Sequence, residues 1–151
     1  MIKEPFKKLG TFDNTKLLAN IKAENRWRFC GASIAKEVKH APFNDLKEVV
    51  AELVQEHIDP LYAPFTYFYR VHNLQPGKKI TPHVDSKVNI PCVHMIHFIA
   101  QSNPKADFTI DDETFNMEEG GIYEINYSYI HSALNRGSTD RIHLLVELRC
   151  S

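Results

Sequence analysis

The spacing of apolar residues changes once along the chain, near Pro64. Before it, Leu17, Leu18 and Ile21 form a short helical stripe behind Asp13-Asn14-Thr15, a sequence suited to capping a helix start. This predicts a first helix ending near Asn25. Leu46, Val49, Val50, Leu53 and Val54, extended by Ile58, predict a firmer helix from Asn44 or Asp45 to Asp59-Pro60. Trp27 and Phe29 suggest a short strand entering the core, residues 31–42 a loop with one short strand, and residues 1–12 an irregular or edge segment.

After Pro64 the period is two. Phe65–Leu74 is rich in strand formers, with Phe68, Arg70 and His72 on one face and Tyr67, Tyr69 and Val71 on the other. Gln75-Pro76-Gly77-Lys78 has the order of a turn, and Lys79-Ile80-Thr81-Pro82 leads into His83. A loop over 86–91 precedes a long apolar strand, Cys92–Gln101, in which Val93, Met95, His97 and Ile99 share a face. Phe108–Ile110 and Thr114–Met117 read as a hairpin across Asp111-Asp112-Glu113. Ile122–Asn126 and Arg141–Arg149 supply further strands. Two helices followed by about eight short strands predict an antiparallel barrel or sandwich buttressed by helices. We read residues 1–151 as one domain, with helical support over about 1–64 and a β core over about 65–149.

Composition narrows the function. A hydrophobic fraction of 43% and a charged fraction of 25% are those of a folded globular chain, which argues against disorder. Lys and Arg total 18 against 19 for Asp and Glu, so the basic excess expected of a duplex-binding protein is missing. No apolar run approaches the roughly 20 residues that span a bilayer, and the first residues lack an apolar signal core. Three scattered cysteines fit reduced thiols, and with them a cytoplasmic setting. The sequence leaves the oligomeric state open.

The chemistry gathers at His83-Val84-Asp85 and at His131. On an extended strand, residues two apart face the same side, so His83 and Asp85 can reach one metal ion. With His131 they make a two-histidine, one-carboxylate set, which leaves positions open and suits non-haem Fe(II) oxygenases. The blander reading makes His83 and His131 hydrogen-bonded histidines lining a barrel. Arg141 opens the last strand, and a buried arginine requires an anionic partner. Glu147 or Asp140 could be that partner; so could a bound dicarboxylate, which matches the arginine fork. His40, His94 and His143 read as structural or solvent-facing, although His143 shares the face of Arg141. His57 reads as a solvated residue at a helix end, and Tyr67, Tyr69, Tyr123, Tyr127 and Tyr129 as packing.

Three stretches carry a resemblance. Leu74 to Asp85, Tyr129-Ile130-His131-Ser132-Ala133-Leu134-Asn135 and Arg141-Ile142-His143-Leu144 look like the aspartyl/asparaginyl β-hydroxylase-like branch of 2-oxoglutarate, Fe(II)-dependent oxygenases, which includes small bacterial proline hydroxylases. The resemblance covers about residues 65–149. It implies a double-stranded β-helix (jelly-roll, cupin-like) fold and hydroxylation of an amino acid, free or in a peptide or protein, with release of succinate and CO2. It further implies that His83, Asp85 and His131 ligate Fe(II), that Arg141 pairs with the distal carboxylate of 2-oxoglutarate, and that His72 and His97 contact the same cosubstrate. Relatives usually carry an arginine two residues before that last histidine; here the residue is Met95. Arg70 could take its place.

Two other readings remain. A cupin-like metalloprotein would use the same metal site without 2-oxoglutarate. A barrel that binds a small molecule or protein without catalysis would account for Met95. The nucleic-acid demethylase branch is only loosely echoed in Asn135–Arg141, and no nucleic-acid or membrane partner is expected.

Overall fold

The alternating half of the chain folds into two facing sheets in a computed structural model that describes residues 2–24, 28–29, 44–62, 65–85 and 93–150. In chain order the elements are β1 (Phe6–Thr11), α1 (Thr15–Glu24), β2 (Arg28–Phe29), α2 (Asn44–His57), α3 (Asp59–Tyr62), β3 (Phe65–Leu74), β4 (Lys79–His83), β5 (Val93–Gln101), β6 (Ala106–Ile110), β7 (Glu113–Asn116), β8 (Gly121–Ile125), β9 (His131–Asn135) and β10 (Arg141–Cys150). The larger sheet has the order β1-β8-β5-β10-β3-β2 and the smaller β4-β9-β6-β7. Successive strands from β3 to β10 cross repeatedly between the two sheets. The fold is a double-stranded β-helix, mostly antiparallel, with helices on one side. Trp27, His40, Cys92 and the loops expected over 31–42 and 86–91 lie outside the described residues.

β10 is the spine of the larger sheet, paired antiparallel with β3 along one edge and β5 along the other. Its alternation sorts two environments. Ile142, Leu144, Val146 and Leu148 join Val71, Ile96, Phe98 and Ile122 in a core closed by Leu17 and Ile21 of α1 and the buried stripe of α2. The other face looks between the sheets, where Leu74, Ile99, Phe108, Ile110, Tyr123, Ile125 and Ala133 form a second apolar cluster. Three polar members of β10, Arg141, His143 and Glu147, alternate with the first set and are nonetheless buried.

Local chemistry explains the joints. Lys78 N donates to the Gln75 carbonyl, and Gly77 has φ 76°, so Pro76-Gly77 takes the positions a type II turn assigns to proline and glycine. The hairpin between β6 and β7 closes through Asp111 and Asp112, at φ 47° and 66°, the left-handed pair of a two-residue hairpin turn. Residues 6–11, expected to be irregular or an edge, form the edge strand β1 against β8. A short helix, α3, continues past Asp59-Pro60 where the sequence predicted a stop. It is pinned by Glu124, which is fully buried: the Tyr62 hydroxyl donates to its carboxylate, His94 Nδ1 lies 2.6 Å from it, and the Ile2 amide reaches it at 3.3 Å. Burial pushes that carboxyl upward, but the His94 and Tyr62 contacts outweigh it and hold it below the ordinary carboxylate value. His57, expected to be solvated, instead meets Phe12 and Phe98 edge-on.

Leu144 is fully buried between Val71 and Phe98 in the helix-covered core. Truncating it leaves a cavity that neighbouring strands cannot fill, so Leu144→Ala should destabilise the protein by about 2–5 kcal/mol in denaturant titrations. Leu134, 37% exposed on the smaller sheet, should cost about 1 kcal/mol or less on the same change.

Candidate metal centre

A bulge on β4 brings the first candidate ligand into position. Ile80 pairs with Ala133, but His83 pairs with His131, so β4 carries one extra residue between the two pairs. Simple alternation from Ile80, which packs into the inter-sheet cluster, would put Pro82 inside and His83 outside. The extra residue reverses that phase and turns His83 to the side of His131. Pro82 suits the place, because it has no N–H to lose from the ladder and β4 is an edge strand.

Asp85 lies just beyond the strand, not on it as the spacing suggested. Its amide donates to the Tyr127 carbonyl at 3.2 Å, which holds the carboxylate beside the histidines. Its Oδ1 is 3.5 Å from His83 Nε2, and the His83 and His131 ring centroids are 4.3 Å apart. Ligand atoms of His83, Asp85 and His131 all lie within 4.8 Å of one another, the one group among the described residues gathered closely enough to hold a metal. Ligands about 2.1 Å from a six-coordinate ion stand roughly 3 Å apart, so small side-chain rotations would complete the set.

The hydrogen bonds fit a metal site. His83 Nδ1 is 2.7 Å from the Thr81 carbonyl and His131 Nδ1 is 3.0 Å from the Tyr129 carbonyl. A carbonyl can only accept, so each Nδ1 carries the proton and each Nε2 keeps its lone pair for a cation. Burial, with the neighbouring His83 adding to it, depresses the pKa of His131 despite the Tyr129 carbonyl pulling the other way. The ligands also differ in depth. His131 is buried, while the His83 and Asp85 side chains remain 41% and 36% exposed, so the group opens at the mouth of the barrel.

Deeper on the inner face of the larger sheet lies a chain of polar side chains. The Tyr127 hydroxyl contacts His97 Nε2, His97 Nδ1 is 3.1 Å from His143 Nδ1, and Arg141 Nη2 is 3.3 Å from that same nitrogen. Arginine can only donate, so His143 Nδ1 accepts. His97 Nδ1 must then donate, which leaves His97 Nε2 to accept from Tyr127. On β3, Arg70 Nε donates to His72 Nε2 at 3.1 Å, and Arg70 also approaches Glu147 at 3.8 Å.

The sequence-predicted residues therefore fall into two groups. His83, Asp85 and His131 converge at the mouth; Arg141 and His97 are buried on the inner face of the larger sheet, with His72 and Arg70 half-buried on β3. Both ring nitrogens of His97 are engaged, so a contact from it to a carboxylate would require Tyr127 to move. Met95 sits in an apolar cluster with Val93 and Leu145, opposite Glu147 on β10. Tyr127, read as packing, links both groups: its ring lies 4.4 Å from that of His131, its carbonyl holds Asp85, and its hydroxyl meets His97. Its position just before the distal histidine was the available clue.

The aspartyl/asparaginyl β-hydroxylase family model matches residues 10–150, and the chain belongs to that family. Among curated proteins no sequence matches the chain. Similar solved structures include a viral collagen prolyl hydroxylase from Paramecium bursaria Chlorella virus-1, crystallised as a 2-oxoglutarate complex. It shows a TM-score of 0.63 at 9% identity, over 99% of this chain and 98% of that one. A Pseudomonas putida prolyl-4-hydroxylase gives 0.62 at 13% identity, over 99% and 89%. AviO1 from Streptomyces viridochromogenes gives 0.62 at 14%, over 97% and 90%. At these identities the likeness is one of fold.

Two measurements probe the site. Cobalt(II) titrated into metal-free protein should bind in a simple ratio of one to one, and His131→Ala should weaken it at least a hundredfold. Acid supplies the second. Burial first, and the Arg141 charge next, hold His97 and His143 well below the ordinary value of 6.5. The unfolded chain thus takes up protons at a higher pH than the folded one, and their contribution is intact above about 6.5 and eroded below it. The urea midpoint of metal-free protein should fall between pH 6.5 and 5; a level midpoint there would contradict the buried, neutral assignment.

Proposed function

We propose that this oxygenase-family protein is a 2-oxoglutarate- and Fe(II)-dependent dioxygenase that hydroxylates an amino acid, free or within a peptide or protein. The observation that carries the reading is the convergence of His83, Asp85 and His131, with both histidine Nε2 lone pairs left for a cation. Two imidazoles and one carboxylate suit Fe(II) and leave part of its sphere open. Bound iron would supply the activation of O2, coupling oxidative decarboxylation of 2-oxoglutarate to succinate and CO2 with hydroxylation of a substrate C–H bond.

The chain's own residues do the rest. Thr81 and Tyr129 carbonyls orient the two imidazoles. The Tyr127 carbonyl fixes Asp85. Arg141, 5% exposed, offers a planar cation to the distal carboxylate of the cosubstrate in a place from which water is largely excluded. Arg70, set on the same inner face, supplies the second positive charge that Met95 does not. Residues 1–151 act as one catalytic unit in a cytoplasmic setting, without nucleic-acid or membrane partners.

Aerobic incubation with Fe(II), 2-oxoglutarate and a panel of free amino acids and short peptides should release succinate in proportion to hydroxylated product. His83→Ala and His131→Ala should reduce turnover at least a hundredfold. Arg141→Ala should act mainly by raising the 2-oxoglutarate KM. Anaerobic Fe(II) with 2-oxoglutarate should give a weak visible charge-transfer band; its absence in folded, iron-loaded protein would overturn the proposal.

A further inference from the structure

The polar chain ends on a nitrogen that no group among the described residues pairs with. His143 is 1% exposed, and its Nε2 is a buried side-chain nitrogen without a hydrogen-bond partner among them. Because Arg141 donates to His143 Nδ1, the neutral ring carries its proton on Nε2. The orphan is thus an N–H and not a lone pair. The same assignment makes His97 the donor into His143 Nδ1 and the acceptor of the Tyr127 hydroxyl. A buried donor left unsatisfied costs on the order of 1–3 kcal/mol. An apolar residue of similar volume would avoid that cost. A histidine here is explained if an acceptor arrives on binding.

The position says which acceptor. His143 follows Arg141 by two residues on β10, so both side chains project from the same inner face; across β3 its partner is His72. Arg141 borders the same ring at Nδ1, so a negatively charged acceptor arriving at Nε2 would lie within the field of its guanidinium. We infer that His143 Nε2–H is a second donor, beside Arg141, to the distal carboxylate of the 2-oxo acid cosubstrate. Tyr127 and His97 hold the imidazole in the orientation that makes this donation possible. The inference rests on the cosubstrate reading above and adds the residue that reads the far end of that molecule.

Isothermal titration of 2-oxoglutarate and of pyruvate, which lacks the distal carboxylate, into manganese(II)-loaded protein tests this without turnover. His143→Phe keeps the ring volume and removes the donor. It should weaken 2-oxoglutarate at least tenfold and leave pyruvate within about twofold. His143→Gln, which restores an N–H at similar reach, should recover most of the loss. In the wild type, the histidine-selective 15N signal that His143→Phe removes should show a protonated Nε2 that shifts with 2-oxoglutarate and not with pyruvate. That signal keeps the question answerable if the variant folds poorly. Equal weakening of both acids, no weakening of either, or an Nε2 signal indifferent to 2-oxoglutarate would overturn the assignment. Failure of the wild type to bind either acid would instead overturn the cosubstrate reading, and this assignment with it.

Discussion

A guanidinium buried inside a barrel constrains every group around it. Arg141 cannot lose its proton at any ordinary pH, so its neighbours must adapt to a fixed positive charge. They do so in two ways. His97 and His143 stay neutral, first because burial disfavours their charged forms and then because protonating either would place a second cation near Arg141. Their tautomers are then dictated in sequence, from the arginine to His143, to His97 and to Tyr127. β10 can carry these groups because β3 and β5 satisfy its backbone along both edges, and because its opposite face is purely apolar. Stability and polarity are thus divided between the two faces of one strand.

The same logic bears on Met95. An arginine there would face Glu147 across the strand pair, and Glu147 is already engaged by Arg149 at 2.8 Å and approached by Arg70. Arg149 in turn stacks over Phe68, 4.6 Å from its ring centre. Positive charge is supplied from β3 and the end of β10, while the position on β5 is apolar and packs with Val93 and Leu145. The place of Met95 on β5 is thus apolar, and the cations beside Glu147 stand on β3 and β10.

Much of this was legible in the residues, and what was not has identifiable causes. The change of period at Pro64 separates helices from strands because burial on one face imposes a spacing on each. The convergence of His83, Asp85 and His131 was visible because metal chemistry restricts residue types severely. The bulge before His83 was hidden: it is a feature of how two strands pair, and Thr81-Pro82 alone does not announce it. Asp85 was assigned the right place for a reason only partly right, since a backbone bond to Tyr127, not strand alternation, holds it. Tyr127 was read as packing and His143 as structural or solvent-facing on the face of Arg141, because their contacts depend on direction, on which atom gives a proton and which receives it. Residue identity does not carry that information; three-dimensional contact does.

The extra residue on β4 has a mechanical side. β4 is the outermost member of the smaller sheet and is bonded along one edge, to β9. A cation shared by His83, Asp85 and His131 would rivet that outer ribbon to its neighbour at one end, joining points far apart in the covalent chain. Loading the ion would then tighten the lip of the barrel as well as arm it, so the empty and filled forms should differ most in how quickly the amides of β4 exchange with solvent.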